Sequence, residues 1–137
     1  MRNYLTKIIS KNKLENNVTL KGHVPYNHLL DSINKAQLII LPSLYEAQSI
    51  AMLEAMAFKK TVVAFDLPFA SEIMRNNYTG ILVKPSDHIK LAVSISELLE
   101  DPNKTDTIGK NAYEHVKKNH NWNVIIQKYI DVYNQLT

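Results

Sequence analysis

Apolar and β-branched residues gather in four short runs, Val18–Leu20, Leu38–Leu41, Thr61–Phe65 and Ile81–Val83. Two of these runs are continuous rather than alternating, which suits strands buried on both faces of a parallel sheet. Between and after them the apolar positions take up helical spacing. The pattern predicts helices over His28–Ala36, with Leu29, Leu30 and Ile33 on one stripe, and over Ser49–Lys59, with Ser49 as N-cap before strong helix formers. A short helix is predicted over Ser71–Asn76. A longer amphipathic one follows over Asp87–Leu99, capped by Asp87, with Ile89, Val93, Ile95, Leu98 and Leu99 inward. Thr105–Asn119 and Val124–Leu136 complete the set, and Trp122 is expected to anchor the last helix with Tyr129 and Tyr133 against it. Strands alternating with helices imply β-α-β units and an α/β fold with a doubly wound parallel sheet. No repeat, low-complexity tract or linker interrupts the pattern, so one domain over residues 1–137 is expected.

Within this frame one segment carries candidate chemistry. Glu46 follows the apolar run Leu38–Leu41, and Glu54 lies inside Ala51-Met-Leu-Glu-Ala-Met-Ala57, where its neighbours are apolar. A carboxylate among apolar groups is costly to bury unless something hydrogen-bonds to it. Open parallel sheets bind ligands beyond the carboxyl ends of their strands, which is where Glu46 falls. The 66–70 and 85–87 segments are expected at the same edge. The helix opening near Ser49 has unpaired N–H groups at residues about 49 to 52 and a dipole that favours an anion. Glu54 stands roughly 8 Å further along that helix. A nucleoside diphosphate sugar fits this layout. Its pyrophosphate would meet the helix end, its ribose Glu54 and its sugar Glu46, because carboxylates only accept hydrogen bonds. Taken on their own, two glutamates at this spacing read rather as an ordinary loop acid, Glu46, and a rim acid, Glu54, paired with Lys59, Lys60 or Lys84, since such spacing is common by chance.

Composition narrows the classes. The chain has 137 residues, 45% hydrophobic and 21% charged, ordinary for a globular domain with a real core. The net charge of +3 comes from lysine, Arg2 and Arg75 being the only arginines. No Arg/Lys stripe is present, which argues against a nucleic-acid partner. Cysteine is absent, so disulfides, thiolate metal sites and a cysteine nucleophile are excluded. The five histidines, His23, His28, His88, His115 and His120, lack helical metal-ligand spacing with a nearby acid. No metal is expected, and His23 is the best functional candidate among them. Met52, Met56 and Met74 read as core fillers.

An ordered set of stretches carries a resemblance: Val18-Thr-Leu-Lys-Gly22-His-Val24, Ala36-Gln-Leu-Ile-Ile-Leu-Pro42-Ser43, Glu46-x7-Glu54-Ala-Met-Ala57, Thr61-Val-Val-Ala64, Glu72-Ile73, Gly80-Ile-Leu-Val83-Lys-Pro85, Asp87 and the tail Asn121-Trp122. Together they resemble the C-terminal, donor-binding half of GT-B-fold glycosyltransferases of family 4, the glycosyl transferases group 1. The resemblance implies a Rossmann-like layer forming a partial GT-B C-terminal domain, N-terminally truncated relative to the family. It implies transfer of a sugar from a nucleotide-sugar donor to a saccharide or lipid acceptor, with retention and no cofactor. Glu46 would contact the donor sugar as the catalytic-site acid. Backbone groups of Ala47, Gln48, Ser49 and Ile50 would meet sugar hydroxyls and phosphate, Glu54 would hold the ribose, and Gly22, His23, Val24 and Pro25 would border the base.

The chain departs from the family in three places. Ala47-Gln48-Ser49 replaces Gly-Phe-Gly. Leu67-Pro68-Phe69-Ala70 stands where a Gly-Gly pair is usual. Lys59 or Lys60 holds the position of a glycine before the Thr61 strand. The family's phosphate-binding Arg and Lys lie upstream of the matching segment. The expectation is therefore a fragment or one half of a split enzyme, partnered by a separate acceptor-domain chain or by a second copy. Its location would be cytoplasmic, with Lys59-Lys60 and Lys117-Lys118 available to a membrane surface. The alternative is a non-catalytic nucleotide- or partner-binding α/β module. A receiver or flavodoxin layer is disfavoured, because Asp66 stands alone and no phosphate loop follows the first strand.

Overall fold

The computed structural model describes residues 2–135. The chain forms two compact units, residues 1–31 and 32–137. In the first, α1 spans Arg2–Lys11 and exposes most of its length. This helix was not predicted: its apolar residues are few and none is buried. The Val18–Leu20 run forms no strand. Strand propensity expresses packing and pairing with a neighbour, and no ladder reaches these residues. Gly22 adopts φ +68°, the left-handed region that a glycine enters without a Cβ penalty. Helix α2, Tyr26–Lys35, spans the division between the units.

The second unit is built on a three-stranded parallel sheet in the order β1 (Leu38–Leu41), β2 (Thr61–Phe65), β3 (Ile81–Val83). Leu38 pairs with Thr61 and Val63 with Ile81 at the starts of the two ladders. Every residue of β2 is buried, as the central strand of a sheet covered on both sides must be. Its side chains alternate between two cores. Val62 and Ala64 join Met52, Ala55 and Met56 of α3 (Ile50–Ala57), together with Ala70, Ile73, Met74 and Ala112. Val63 and Phe65 join Ile81, Val83, Leu98 of α5 (His88–Glu100) and Ile108 of α6 (Pro102–Asn119). The doubly wound layer is thus present. The three methionines are fully enclosed, as unbranched gap-fillers between helix and sheet.

Two buried threonines tie the layers together. Thr61 Oγ1 donates to the Thr105 carbonyl at 2.5 Å, and Thr105 Oγ1 donates to the Leu98 carbonyl at 2.6 Å. These bonds satisfy hydroxyls that would otherwise cost about 1–3 kcal/mol each to bury. Asp87 caps α5 by accepting from the Lys90 N–H at 2.9 Å, and Asp101 caps α6 by accepting from Lys104.

Several expectations need correction. Helix α4 runs Pro68–Ser71, not Ser71–Asn76. Proline is suited to the first helical turn, and here it starts the helix early. The following residues turn, and Asn76 Oδ1 takes the Leu82 N–H, leading into β3. On α5 the inner stripe is Leu91, Ser94, Ile95 and Leu98, while Ile89 is 81% exposed and Val93 and Leu99 are also exposed. Residues 91, 95 and 98 share one helical face, and 89 and 93 fall opposite it. Helix α7, Trp122–Asn134, buries none of its residues, and Trp122, Tyr129 and Tyr133 are exposed rather than packed. Val124 and Ile125 are its half-buried apolar positions. The expected last turn at Leu136 lies outside the described residues.

Candidate functional site

The carboxyl ends of β1 and β2 lead into two loops, 42–49 and 66–67, that form a groove. Leu44, Tyr45 and Glu46 line one side and Leu67, Pro68 and Phe69 the other, around a cavity of about 260 Å³. Glu46 is half-buried there, and its Oε1 accepts a hydrogen bond from Ser43 Oγ at 2.8 Å. That bond fixes the carboxylate from within its own loop. β3 ends at the same edge: the Asp66 N–H donates to the Val83 carbonyl at 2.7 Å. The His88 ring stands 6.3 Å from Phe65, tilted by 52°.

Helix α3 begins four residues after Glu46. Ser49 occupies the N-cap position, but its side chain makes no capping bond. It is completely buried, and its Oγ has no hydrogen-bond partner among the described residues. The expectation of four free N–H groups also needs correction. Ile50 N–H donates to the Gln48 carbonyl, and Met52 and Leu53 N–H to that of Ser49. Turn geometry spends these donors locally. No backbone carbonyl takes the N–H of Ser49 or Ala51 among the described residues. Ala47, Gln48 and Ser49 all avoid the left-handed region, so the loop does not need glycine at those positions. Ala47 and Gln48 are exposed, and Ile50 is 64% exposed.

Glu54 lies half-buried on α3, on the face turned away from Met52, Ala55 and Met56. It is not among the residues that line the Glu46 groove. The structure therefore joins Glu46 to the opening of α3, with Glu54 one turn further along the same helix. Gly22, His23, Val24 and Pro25 belong to the first unit; Val24 is half-buried and the other three are exposed. The sequence reading placed the 66–70 segment at this edge, as observed, but did not name Leu67, Pro68 and Phe69 as groove residues. Their signal was present as the departure from a glycine pair. Among the described residues no cluster of acids and histidines has the geometry of a metal site, and no helix is long and apolar enough to cross a membrane.

The sequence pattern of the glycosyl transferases group 1 matches residues 1–115. The chain belongs to this family. It is 31% identical over 108 residues to the alpha-D-kanosaminyltransferase of Streptomyces kanamyceticus, covering 79% of the chain and 28% of that protein. Among solved structures, sucrose-phosphate synthase from Thermosynechococcus elongatus superposes with a TM-score of 0.87 at 30% identity, over 98% of this chain and 34% of that one. HepE of Anabaena, solved in complex with UDP-glucose, superposes with a TM-score of 0.87 at 26% identity, over 97% and 36%. The chain thus spans about a third of the length of the group 1 relatives it matches. Its parallel α/β layer is the fold of part of these GT-B glycosyltransferases.

A second concentration of polar groups lies on α6 and the 75–79 turn. Arg75, Tyr78, Asn111, Glu114, His115, Lys118 and Asn119 line a cavity of about 370 Å³. The His115 and His120 rings lie 5.6 Å apart. Burial lowers the pKa of His115 below the usual imidazole range, and the Arg75 charge lowers it further. Burial likewise lowers that of His120, helped by His115 and Lys128.

Proposed function

We propose that this chain binds the nucleotide-sugar donor of a retaining, metal-independent glycosyltransferase of family 4. The observation that carries the reading is Glu46, fixed by Ser43 on a groove at the carboxyl edge of the sheet, directly before the amino end of α3. The Ala51 N–H and the helix dipole favour the donor diphosphate, and Glu46 accepts from a sugar hydroxyl. Glu54 holds the ribose. In transfer, the bond from the anomeric carbon to the diphosphate oxygen breaks, a bond to an acceptor hydroxyl oxygen forms, and the hydroxyl proton passes to the departing diphosphate oxygen. Negative charge grows on the departing diphosphate, and preorganised N–H dipoles stabilise it. The acceptor is a saccharide or a lipid. UDP-glucose in the related HepE supports the donor class.

Calorimetric titration with UDP, GDP and ADP and their hexose conjugates tests the reading. One nucleotide is expected to bind, its sugar conjugate more tightly. Glu46→Gln should lose the sugar increment and keep nucleotide binding. Failure of every nucleotide to bind overturns the proposal. Binding without transfer in the presence of an acceptor-domain chain would instead favour the non-catalytic module.

A further inference from the structure

The wall of the groove opposite Glu46 is the 67–69 segment, and its chemistry is one-sided. Leu67 and Phe69 are half-buried apolar residues, and Pro68 has no N–H to offer. The remaining backbone groups of Leu67 and Pro68 are committed within the chain. Leu67 N–H donates to the Phe65 carbonyl at 2.9 Å, and the Leu67 carbonyl accepts from the N–H groups of Ala70 and Ser71. The Pro68 carbonyl accepts from the Glu72 N–H and from Ser71 Oγ. On the near wall, Leu44 and Tyr45 flank Glu46. One carboxylate oxygen of Glu46 already accepts from Ser43, leaving Oε2 for a ligand hydroxyl.

A hexose held here by Glu46 would press its far edge against a surface made chiefly of the Leu67, Pro68 and Phe69 side chains. A hydroxyl buried against such a surface loses its water without replacement. Among sugar substituents, only the exocyclic carbon becomes a protruding methyl group when its oxygen is removed. We infer that this groove selects a 6-deoxyhexose donor over its hydroxylated counterpart, with Phe69 as the specificity-determining residue. The inference rests on the nucleotide-sugar reading above. An apolar pocket discriminates such a pair by about tenfold, and rarely beyond a hundredfold.

The test uses the nucleotide that binds in the titration above, with matched donors such as UDP-glucose and UDP-6-deoxyglucose, or GDP-mannose and GDP-6-deoxymannose. The 6-deoxy donor is expected to bind about tenfold more tightly. Phe69→Ala should bring the pair within about twofold. Should Phe69→Ala unfold, Leu44→Asn on the exposed opposite wall should reduce the same preference. Equal binding of the two donors, or an undiminished preference in the variants, overturns the inference while nucleotide binding stands. The same preference among free methyl glycosides would assign the groove to the acceptor and also overturn it. Absence of any nucleotide binding removes this inference together with the proposed function.

Discussion

Gly109 sits in the middle of α6, where helix propensity alone says that alanine is better by about 1 kcal/mol. The tertiary structure reverses that sign. A Cβ built on Gly109 would stand 2.2 Å from the Lys59 carbonyl oxygen, 3.0 Å from its carbonyl carbon and 3.4 Å from the Thr61 nitrogen. These are backbone atoms of the turn that closes α3. Lys59 is in the left-handed region at φ 58°. Its N–H donates to the Met56 carbonyl and the Lys60 N–H to that of Ala55, the double bond of a Schellman closure. The next residue, Thr61, opens the central strand and anchors its hydroxyl on α6. The obstacle is therefore pinned by hydrogen bonds on both sides, and α6 must back away by roughly 1 Å to restore van der Waals distance.

Overpacking of this kind costs about 1–3 kcal/mol, occasionally more, and the separation also strains the Thr61–Thr105 bond. Loss of that bond adds about 1 kcal/mol and the propensity gain offsets about 1 kcal/mol, so Gly109→Ala should destabilise by about 1–3 kcal/mol. For a chain of this size that lowers Tm by roughly 4–12 °C. Urea unfolding followed by circular dichroism, with thermal melts alongside, measures it. A Gly109→Ala protein as stable as the parent, or more stable, would refute the reasoning and restore propensity as the deciding term.

Two further outcomes follow from buried or half-buried polar groups. Ser49→Ala should raise stability by about 1 kcal/mol in the same urea assay, because it removes a buried hydroxyl without a partner; a loss of stability would show that the hydroxyl is satisfied in solution. His115 and His120 both have pKa values lowered in the folded state. The unfolded chain then binds more protons than the native one just below the ordinary imidazole value of about 6.5. Stability should therefore be full above that pH and decline as pH falls towards the lowered values, and His120→Gln should flatten the decline. A parent protein equally stable at about pH 7.5 and pH 5.5, once carboxylate effects are matched in the variant, would contradict this.

Much of the second unit was legible in the residue pattern. Leu38–Leu41, Thr61–Phe65 and Ile81–Val83 became β1, β2 and β3 because continuous apolar runs are stable only where both faces are covered. Asp87 became a cap because its short side chain reaches an orphan N–H at a helix start. The position of Glu46 beyond a strand end was readable for the same topological reason. Other features were not readable. Val18–Leu20 has strand propensity and no ladder, since propensity needs a neighbour. The assignment of Ile89 and Val93 to the inner face failed because a helix with apolar residues all round can present more than one stripe. Ser49 looked like a cap and is a buried, unbonded hydroxyl, a distinction made by local dihedrals and packing.

The sequence by itself determined the order of strands and helices from residue 26 onward, the family and the acidic residue at the sheet edge, since these depend on periodicity and local chemistry. Only the tertiary structure decided that residues 67–69 form the wall facing Glu46, and that Gly109 makes room for the Lys59 carbonyl. Both are contacts between segments distant along the chain, fixed by how the layers pack rather than by any neighbour in sequence.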